Sequence, residues 1–294
     1  MIDSIQKYQN TPSQAYQFSL LIPSWNNLDY LKLCIGSIRK NSFYELQIIV
    51  IVNEGSDGSL EWVQNQKDID FVYAKENIGI CYALNAARSL IQSDYVVYIN
   101  DDMYLLPNWD LALEKEITAL GTKKFMLSGT MVEPIDTGNK CVIVKDYGRD
   151  IDSFKENLLL QDYPNLHKDN WSGSTWPPNV VHVDVWDLVG GLSVEFSPGM
   201  GSDPDFAKKL YEAGVRQFKG VGASLVYHFG TKSTKRVNKN DGRKTFLHKW
   251  GISQRDFSQK YLKIGEPFAE NVSVPQSSLT QKIVSKIKII ISYF

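Results

Sequence analysis

Two acids close a strongly apolar run. From Tyr95 the chain reads Tyr-Val-Val-Tyr-Ile-Asn-Asp-Asp, ending at Asp101 and Asp102. A β-branched and aromatic run of this kind makes a strand buried on both faces. In open α/β sheets ligands gather outside the carboxyl ends of the strands, so both acids are expected to face a crevice. Adjacent carboxylates repel unless something positive lies between or beside them. A divalent cation carrying phosphate oxygens meets that need. The competing reading is an Asx turn over Asn100-Asp101-Asp102 that caps the next segment. Further on, Asp203 and Asp205 flank Pro204, and either acid can cap a helix that has proline in its first turn. His228 ends another apolar run, where a neutral imidazole can add a metal ligand beside Asp102 or serve as a satisfied structural residue. His167, His182 and His248 have no comparable setting.

The elements around these groups alternate. Phe18 to Pro23 reads as a first buried strand, followed by a helix through Leu28, Leu31, Leu33, Ile35 and Ile38 that Asn26 or Asn27 can cap. Gln47 to Val52 is a second strand and Asp70 to Ala74 a third. A polar, glycine-bearing turn from Asn53 to Ser59 lies between them, with a short helix around Leu60, Trp62 and Val63. Asn77-Ile78-Gly79 opens a helix through Ala83, Leu84, Ala86, Ala87, Leu90 and Ile91, and the strand from Tyr95 follows. Strands alternating with helices imply right-handed crossovers and a largely parallel sheet. The first half is therefore a Rossmann-like layout without Gly-x-Gly-x-x-Gly after its first strand and without a P-loop, so phosphate needs another device. The acidic pair is the candidate.

In the second half, Phe125 to Val132 and Val180 to Val183 read as strands, and Val185 to Gly191 as a helix turn closed by paired glycines. Gly191 can allow close backbone approach to a ligand or supply a left-handed cap. Trp171 and Trp176 either plug the core or offer an indole platform to a sugar face. Arg216 to Val221 and Ser224 to His228 read as paired strands. Thr245 to Trp250 and Asp256 to Leu262 read as helices.

Composition sets the outer limits. The chain has 294 residues, 43% apolar and 22% charged, with a formal net charge of −1, which excludes a surface built to attract nucleic acid. Cys34, Cys81 and Cys141 have no metal or disulfide spacing, which suits a reducing cytoplasm. No secretory signal and no membrane-spanning run is visible. Residues 1–16 are polar and expected to be frayed or loosely docked.

Residues 18–109 resemble the N-terminal half of a family-two glycosyltransferase with the GT-A fold. Ile22-Pro23-Ser24-Trp25-Asn26 resembles its first-strand signature, and Glu54-Gly55-Ser56-Asp57-Gly58-Ser59 its acidic turn, here one residue short. Asn77-Ile78-Gly79 through Asn85-Ala86-Ala87 is similar to its Asn-x-Gly helix, with Ala87 where glycine is common. Asn100-Asp101-Asp102 followed by Pro107-Asn108-Trp109 matches its metal motif, with Asn100 in place of the first aspartate. Gly199 to Asp205 is similar to its Gly-x-Gly-Glu-Asp-x-Asp segment, with Ser202 in place of the glutamate. Val226-Tyr227-His228 resembles its closing Tyr-His motif.

The resemblance implies a GT-A, Rossmann-like, mostly parallel α/β sheet with helices on both faces, spanning residues 17–240. A nucleotide-sugar half covers 17–109 and an acceptor half 110–240, with a C-terminal helical extension over 241–294. It implies an inverting, nucleotide-sugar-dependent transferase, with UDP as donor nucleotide and a hydroxyl of a glycan or lipid-linked glycan as acceptor. The expected setting is bacterial surface polysaccharide synthesis. Asp102 and His228 are then the ligands of Mn²⁺ or Mg²⁺, and Asp203 the catalytic base. Pro23, Trp25, Glu54, Asn77, Gly79, Asn85, Asn100, Asp101 and Gly191 are the donor-side contacts.

Lys232, Lys235 and Arg236 begin a basic segment that either closes over a diphosphate or is a solvated face. In the tail, Ile283, Ile287 and Phe294 share one helical face, with lysines near the other. Residues 279–294 can therefore lie on a membrane surface, pack on the body or join a second subunit in a homo-oligomer. The expected location is cytoplasmic, peripheral at the inner face of the membrane. Two other classes stand beside this reading. One is a sugar nucleotidyltransferase, disfavoured by the lack of a glycine-rich, arginine-bearing loop. The other is a non-catalytic scaffold of the same fold.

Overall fold

The computed structural model describes residues 5–231 and 239–270, together with residues 286, 287 and 289. The first half runs β1 (Ile5–Tyr8), β2 (Ser19–Trp25), α1 (Leu28–Asn41), β3 (Gln47–Asn53), α2 (Ser59–Gln64), β4 (Ile69–Ala74), α3 (Gly79–Ala87) and β5 (Tyr95–Tyr98). The second half adds β6 (Met103–Leu105), α4 (Trp109–Leu120), β7 (Phe125–Glu133), β8 (Ile143–Val144), α5 (Glu156–Asp162), β9 (Trp171–Ser172), β10 (Asn179–His182), α6 (Val183–Val189), α7 (Ser202–Glu212), β11 (Gln217–His228) and α8 (Gly242–Trp250). These strands form one sheet in the order β1-β4-β3-β2-β5-β10-β7-β11-β6, with β8 beside β7 and β9 beside β11. The ladders β4-β3-β2-β5 and β7-β11 are parallel, while β10 enters antiparallel between the halves.

Side-chain alternation explains the three layers. Every residue of β3 is buried, as expected for a parallel strand with both faces covered. Leu20, Ile22, Ile48, Val50 and Val52 point to one face and pack with Leu31 and Ile35 of α1 and Trp109 and Leu113 of α4. Leu21, Ile49, Ile51 and Val72 point to the other and pack with Leu84 of α3, Trp186 of α6 and Phe206 and Leu210 of α7. Period two along the strands sorts the two sets. Phe246, Phe257 and Leu262 belong to the second core, so the helices after residue 240 are packed into the body.

Three sequence expectations change. The N-terminal residues are docked from Ile5 onward: β1 pairs with β4, and the buried Asp70 carboxylate accepts hydrogen bonds from the Asn10 and Thr11 amides and the Thr11 hydroxyl. A buried carboxylate requires such donors, which polar residues supply and apolar ones do not. The two strands read at Arg216–Val221 and Ser224–His228 are one strand, β11. Its register against β7 jumps between Val221 and Leu225. The residues between them form a bulge, and at Gly222 an added Cβ would fall 1.8 Å from the Lys168 carbonyl oxygen. Glycine there permits the bulge without breaking the strand.

Trp171 is a core residue and not a platform: it is 3% exposed, and its indole donates to Thr130 Oγ1 at 2.9 Å. Its ring lies where a Cβ on Gly220 would sit, 1.8 Å away, and stacks at 6.4 Å on Trp176, which packs against the first core. All three cysteines are buried and free. Lys232, Lys235 and Arg236 lie outside the described residues, as does the tail from 279 to 294 apart from residues 286, 287 and 289. Among the described residues no helix is long and apolar enough to cross a membrane.

Candidate active site

At the carboxyl ends of β2, β3 and β5 the sheet opens into a cavity of about 410 Å³. Asp101, Asp102, Asp203 and His228 all line it. The sheet itself assembles the first group. β5 ends at Tyr98, the chain turns through Asn100–Asp102, and β6 returns beside β11 with Met103 opposite His228. On the other side of β11, Tyr227 lies opposite Val132, which sets His228 beside Glu133.

Asp102 is 5% exposed. Its Oδ2 accepts from the Thr231 amide at 2.7 Å and the Thr231 hydroxyl at 2.9 Å, and its Oδ1 lies 3.7 Å from His228 Nε2. His228 Nδ1 is 2.9 Å from Glu133 Oε1. Burial alone would lower the His228 pKa; the Glu133 hydrogen bond and the Asp102 charge outweigh it and raise the value. A carboxylate oxygen and an imidazole nitrogen facing one cavity suit Mn²⁺ or Mg²⁺. Among the described residues no three His, Cys, Asp or Glu side chains gather as a complete cage.

Asp203 approaches the same space from α7. Gly201, at φ +86, occupies the cap position, and Ser202 and Asp203 form the first turn. Burial pushes the Asp203 carboxyl up to about 7. Tyr98 lies within the field of Asp203, Asp102 and Asp101; burial first, then those charges, hold its phenol well above the usual range. A partly buried acid that titrates near neutrality in a cleft is a candidate for general base work.

The remaining sequence candidates divide. Pro23, Trp25, Asn77, Gly79 and Asn100 line the cavity. Asn77 Oδ1 accepts from the Gly79 amide at 2.9 Å, and Gly79, at φ +74, lets Ser197 and Pro198 close to within 2.8 Å of where a Cβ would be. Glycine at this position joins the two halves at the cavity wall. Glu54 stands one side chain back, accepting from the Trp25 indole at 2.8 Å. In the same turn, Asp57 accepts from the Leu28 and Ser59 amides at the starts of α1 and α2.

Asn85 and Gly191 are corrections, because neither lines the cavity. Asn85 Nδ2 donates to the Leu192 carbonyl at 2.7 Å and Asn85 Oδ1 accepts from the Leu192 amide at 2.9 Å. A Cβ on Gly191 would fall 2.3 Å from Asn85 Oδ1, so the close approach that requires glycine is to this side chain and not to a ligand. Asn85→Ala removes both partners of the Leu192 backbone. It should cost about 1–3 kcal/mol in urea unfolding, with donor affinity unchanged. Asp205 is likewise no cap: fully buried, it accepts from the Trp250 indole at 2.7 Å and pairs with Lys249 at 3.0 Å, anchoring α8.

Sequence reasoning missed Glu133, Thr231, Tyr98 and Met200. Glu133 carried a signal, an acid directly after the apolar run of β7. Tyr98 lies within the Tyr95 run and Met200 within the Gly199–Asp205 segment, whereas Thr231, just beyond β11, carried no signal.

The family described as Glycosyl transferase family 2 matches residues 19–128. The putative teichuronic acid biosynthesis glycosyltransferase TuaG of Bacillus subtilis is 30% identical over 88 residues, 29% of this chain and 35% of that protein. The chondroitin synthase of Escherichia coli is 23% identical over 243 residues, 71% of this chain and 34% of that protein. The chain thus spans about a third of the length of either relative. The crystal structure of GalNAc-T7 with UDP, GalNAc and Mn²⁺ superposes with a TM-score of 0.56 at 13% identity, covering 83% of this chain and 50% of that one. The likeness to GalNAc-T7 is one of fold, the GT-A arrangement of a glycosyltransferase. Over residues 19–128, the strands and helices that carry Asp101 and Asp102, this chain is similar to glycosyl transferase family 2.

Proposed function

We propose that the protein is an inverting glycosyltransferase. It moves a sugar from a nucleoside diphosphate, UDP, to a hydroxyl of a glycan or lipid-linked glycan in bacterial surface polysaccharide synthesis. The observation that carries this reading is the meeting of Asp102, His228 and Asp203 in one cavity at the carboxyl ends of the strands. The named functions of TuaG and chondroitin synthase, and the UDP and Mn²⁺ of the GalNAc-T7 structure, support it.

Asp102 Oδ1 and His228 Nε2 are the atoms that hold Mn²⁺ or Mg²⁺ on this reading. When bound, such a cation neutralises charge building on the departing diphosphate. Thr231 keeps the Asp102 carboxylate in one orientation by occupying its other oxygen. Pro23, Trp25 and Asn77 form the wall for the nucleotide sugar. Asp203 takes the proton of the acceptor hydroxyl as its oxygen bonds to the anomeric carbon. The bond from that carbon to the β-phosphate oxygen breaks, UDP leaves, and attack from the far side inverts the centre. A carboxyl raised to about 7 is a stronger base than an ordinary aspartate and is still ionised in good part near neutrality.

The test is a panel of nucleotide sugars offered to the full chain with Mn²⁺, with Mg²⁺ and with chelator. Metal-dependent release of UDP, together with a β-linked product from an α-linked donor, is the expected outcome. Release of pyrophosphate from UTP and a sugar phosphate would instead identify a nucleotidyltransferase.

A further inference from the structure

Glu133 makes no contact with the cavity, yet its placement is specific. It is the last residue of β7, its side chain is 16% exposed, and its Oε1 lies 2.9 Å from His228 Nδ1. Among the described residues no lysine or arginine reaches this carboxylate. Lys145, which follows the β8 residue paired with Glu133, is engaged instead with Asp162. Among the described residues this partly buried carboxylate has one imidazole as its side-chain partner, and burying a charge costs stability unless a partner compensates it.

Strand register supplies the account. His228 stands between two strands, beside Glu133 on β7 and opposite Met103, the residue after Asp102, on β6. The two ring nitrogens therefore meet different groups. Nδ1 faces Glu133, and Nε2 faces Asp102 Oδ1 at 3.7 Å. A carboxylate can only accept, so Glu133 holds the proton on Nδ1 in the neutral ring. That leaves the Nε2 lone pair directed at Asp102 and the cavity.

We propose that Glu133 is a positioning residue. By accepting the Nδ1 hydrogen it selects the His228 tautomer and fixes the ring, so that Nε2 and Asp102 Oδ1 form a ready-made pair for a divalent cation. The proposal rests on the metal reading given above. Carboxylates that hold ligating imidazoles in this way raise metal affinity about 10- to 100-fold in other proteins.

Two measurements on the full chain test it. The first uses ¹⁵N NMR of the metal-free protein at alkaline pH, where the imidazole is neutral. His228 should show the Nδ1–H tautomer in the wild type and a mixture in Glu133→Ala. The second titrates Mn²⁺ alone by calorimetry. Glu133→Ala should bind about 10- to 100-fold more weakly than wild type, and Glu133→Gln should recover much of the loss, because its amide oxygen accepts the same hydrogen. Where the alanine variant fails to fold, the wild-type ¹⁵N tautomer still decides, because it needs no substitution. A purely structural role would lower the melting temperature in both variants and leave the Mn²⁺ affinity of folded protein unchanged. Equal Mn²⁺ affinity in wild type and both variants overturns the proposal alone. A wild type that binds no Mn²⁺ overturns the metal reading and the proposal with it. An Nε2–H tautomer in the wild type overturns the positioning role even if Mn²⁺ binds.

Discussion

Asp203→Asn should fold, bind nucleotide sugar as the wild type does, and transfer almost nothing. The asparagine keeps the shape of the carboxylate in the first turn of α7 but cannot take a proton. The expected loss in kcat is about 100- to 10,000-fold, the usual worth of a positioned base, with donor affinity nearly constant. The pH dependence follows from the same residue. Burial raises the Asp203 pKa from 3.8 to about 7, and the base form is the ionised one. Wild-type kcat/KM should therefore fall as pH drops through about 7.

The stability effect has the opposite sense. Between 3.8 and about 7 the native state holds a proton that the unfolded chain has released. This stabilisation is complete below 3.8 and is lost as pH rises through about 7. At alkaline pH the wild type keeps a charge in a poorly hydrated site, and Asp203→Asn does not. The variant should melt higher than the wild type at pH 8 while remaining inactive. Full transfer by Asp203→Asn, or a variant that melts lower at pH 8 than the wild type does, would falsify the assignment.

Asp102→Ala should lose the metal dependence of donor binding, and transfer with it. Asp102 Oδ1 faces His228 Nε2 at 3.7 Å, and removing it takes the carboxylate oxygen away from that imidazole. Loss of one preorganised electrostatic contact to a developing charge costs about 100- to 1,000-fold in kcat. UDP-sugar binding measured with and without Mn²⁺ separates the effects: the wild type should tighten with metal, and the variant should not. The substitution also takes away the acceptor that Thr231 uses through both its amide and its hydroxyl. Glutamate at 102 is a useful contrast, because it restores charge at the wrong reach. If Asp102→Ala keeps a full metal response in donor binding, the cation is held elsewhere and the site must be redrawn.

The two variants answer different questions. Asp203 concerns proton transfer to a base, with binding spared. Asp102 concerns the donor and its charge, so binding and turnover fall together. A scaffold protein with no chemistry would show neither pattern, and a nucleotidyltransferase would release pyrophosphate in the same assays.

Much of the first half was legible because its signals are local. Continuous apolar runs such as Gln47–Val52 are strands with both faces covered, and Asn77-Ile78-Gly79 marks a helix start through an Asx contact and a positive φ. The residues between Arg216 and His228 were harder. Gly222 and its neighbours read as a turn, and only contact with Lys168 makes them a bulge in one strand. Asn85 shows the same limit within the site. Its helix position was readable, but whether its amide faces a ligand or the Leu192 backbone depends on a segment more than a hundred positions away.

The sequence alone determined the alternating strands and helices, the acids at the end of the Tyr95 run and the acid after Gly201. Hydrophobic period and local backbone chemistry act over a few residues, and they suffice for that. Tertiary structure alone decided that Glu133, His228 and Asp102 stand side by side, since strand order and register do not follow from any single strand's composition. It also turned Asp205 toward α8 and raised Asp203 toward neutrality. Those outcomes depend on which groups replace water around each carboxyl, a property of the packed chain and not of its letters.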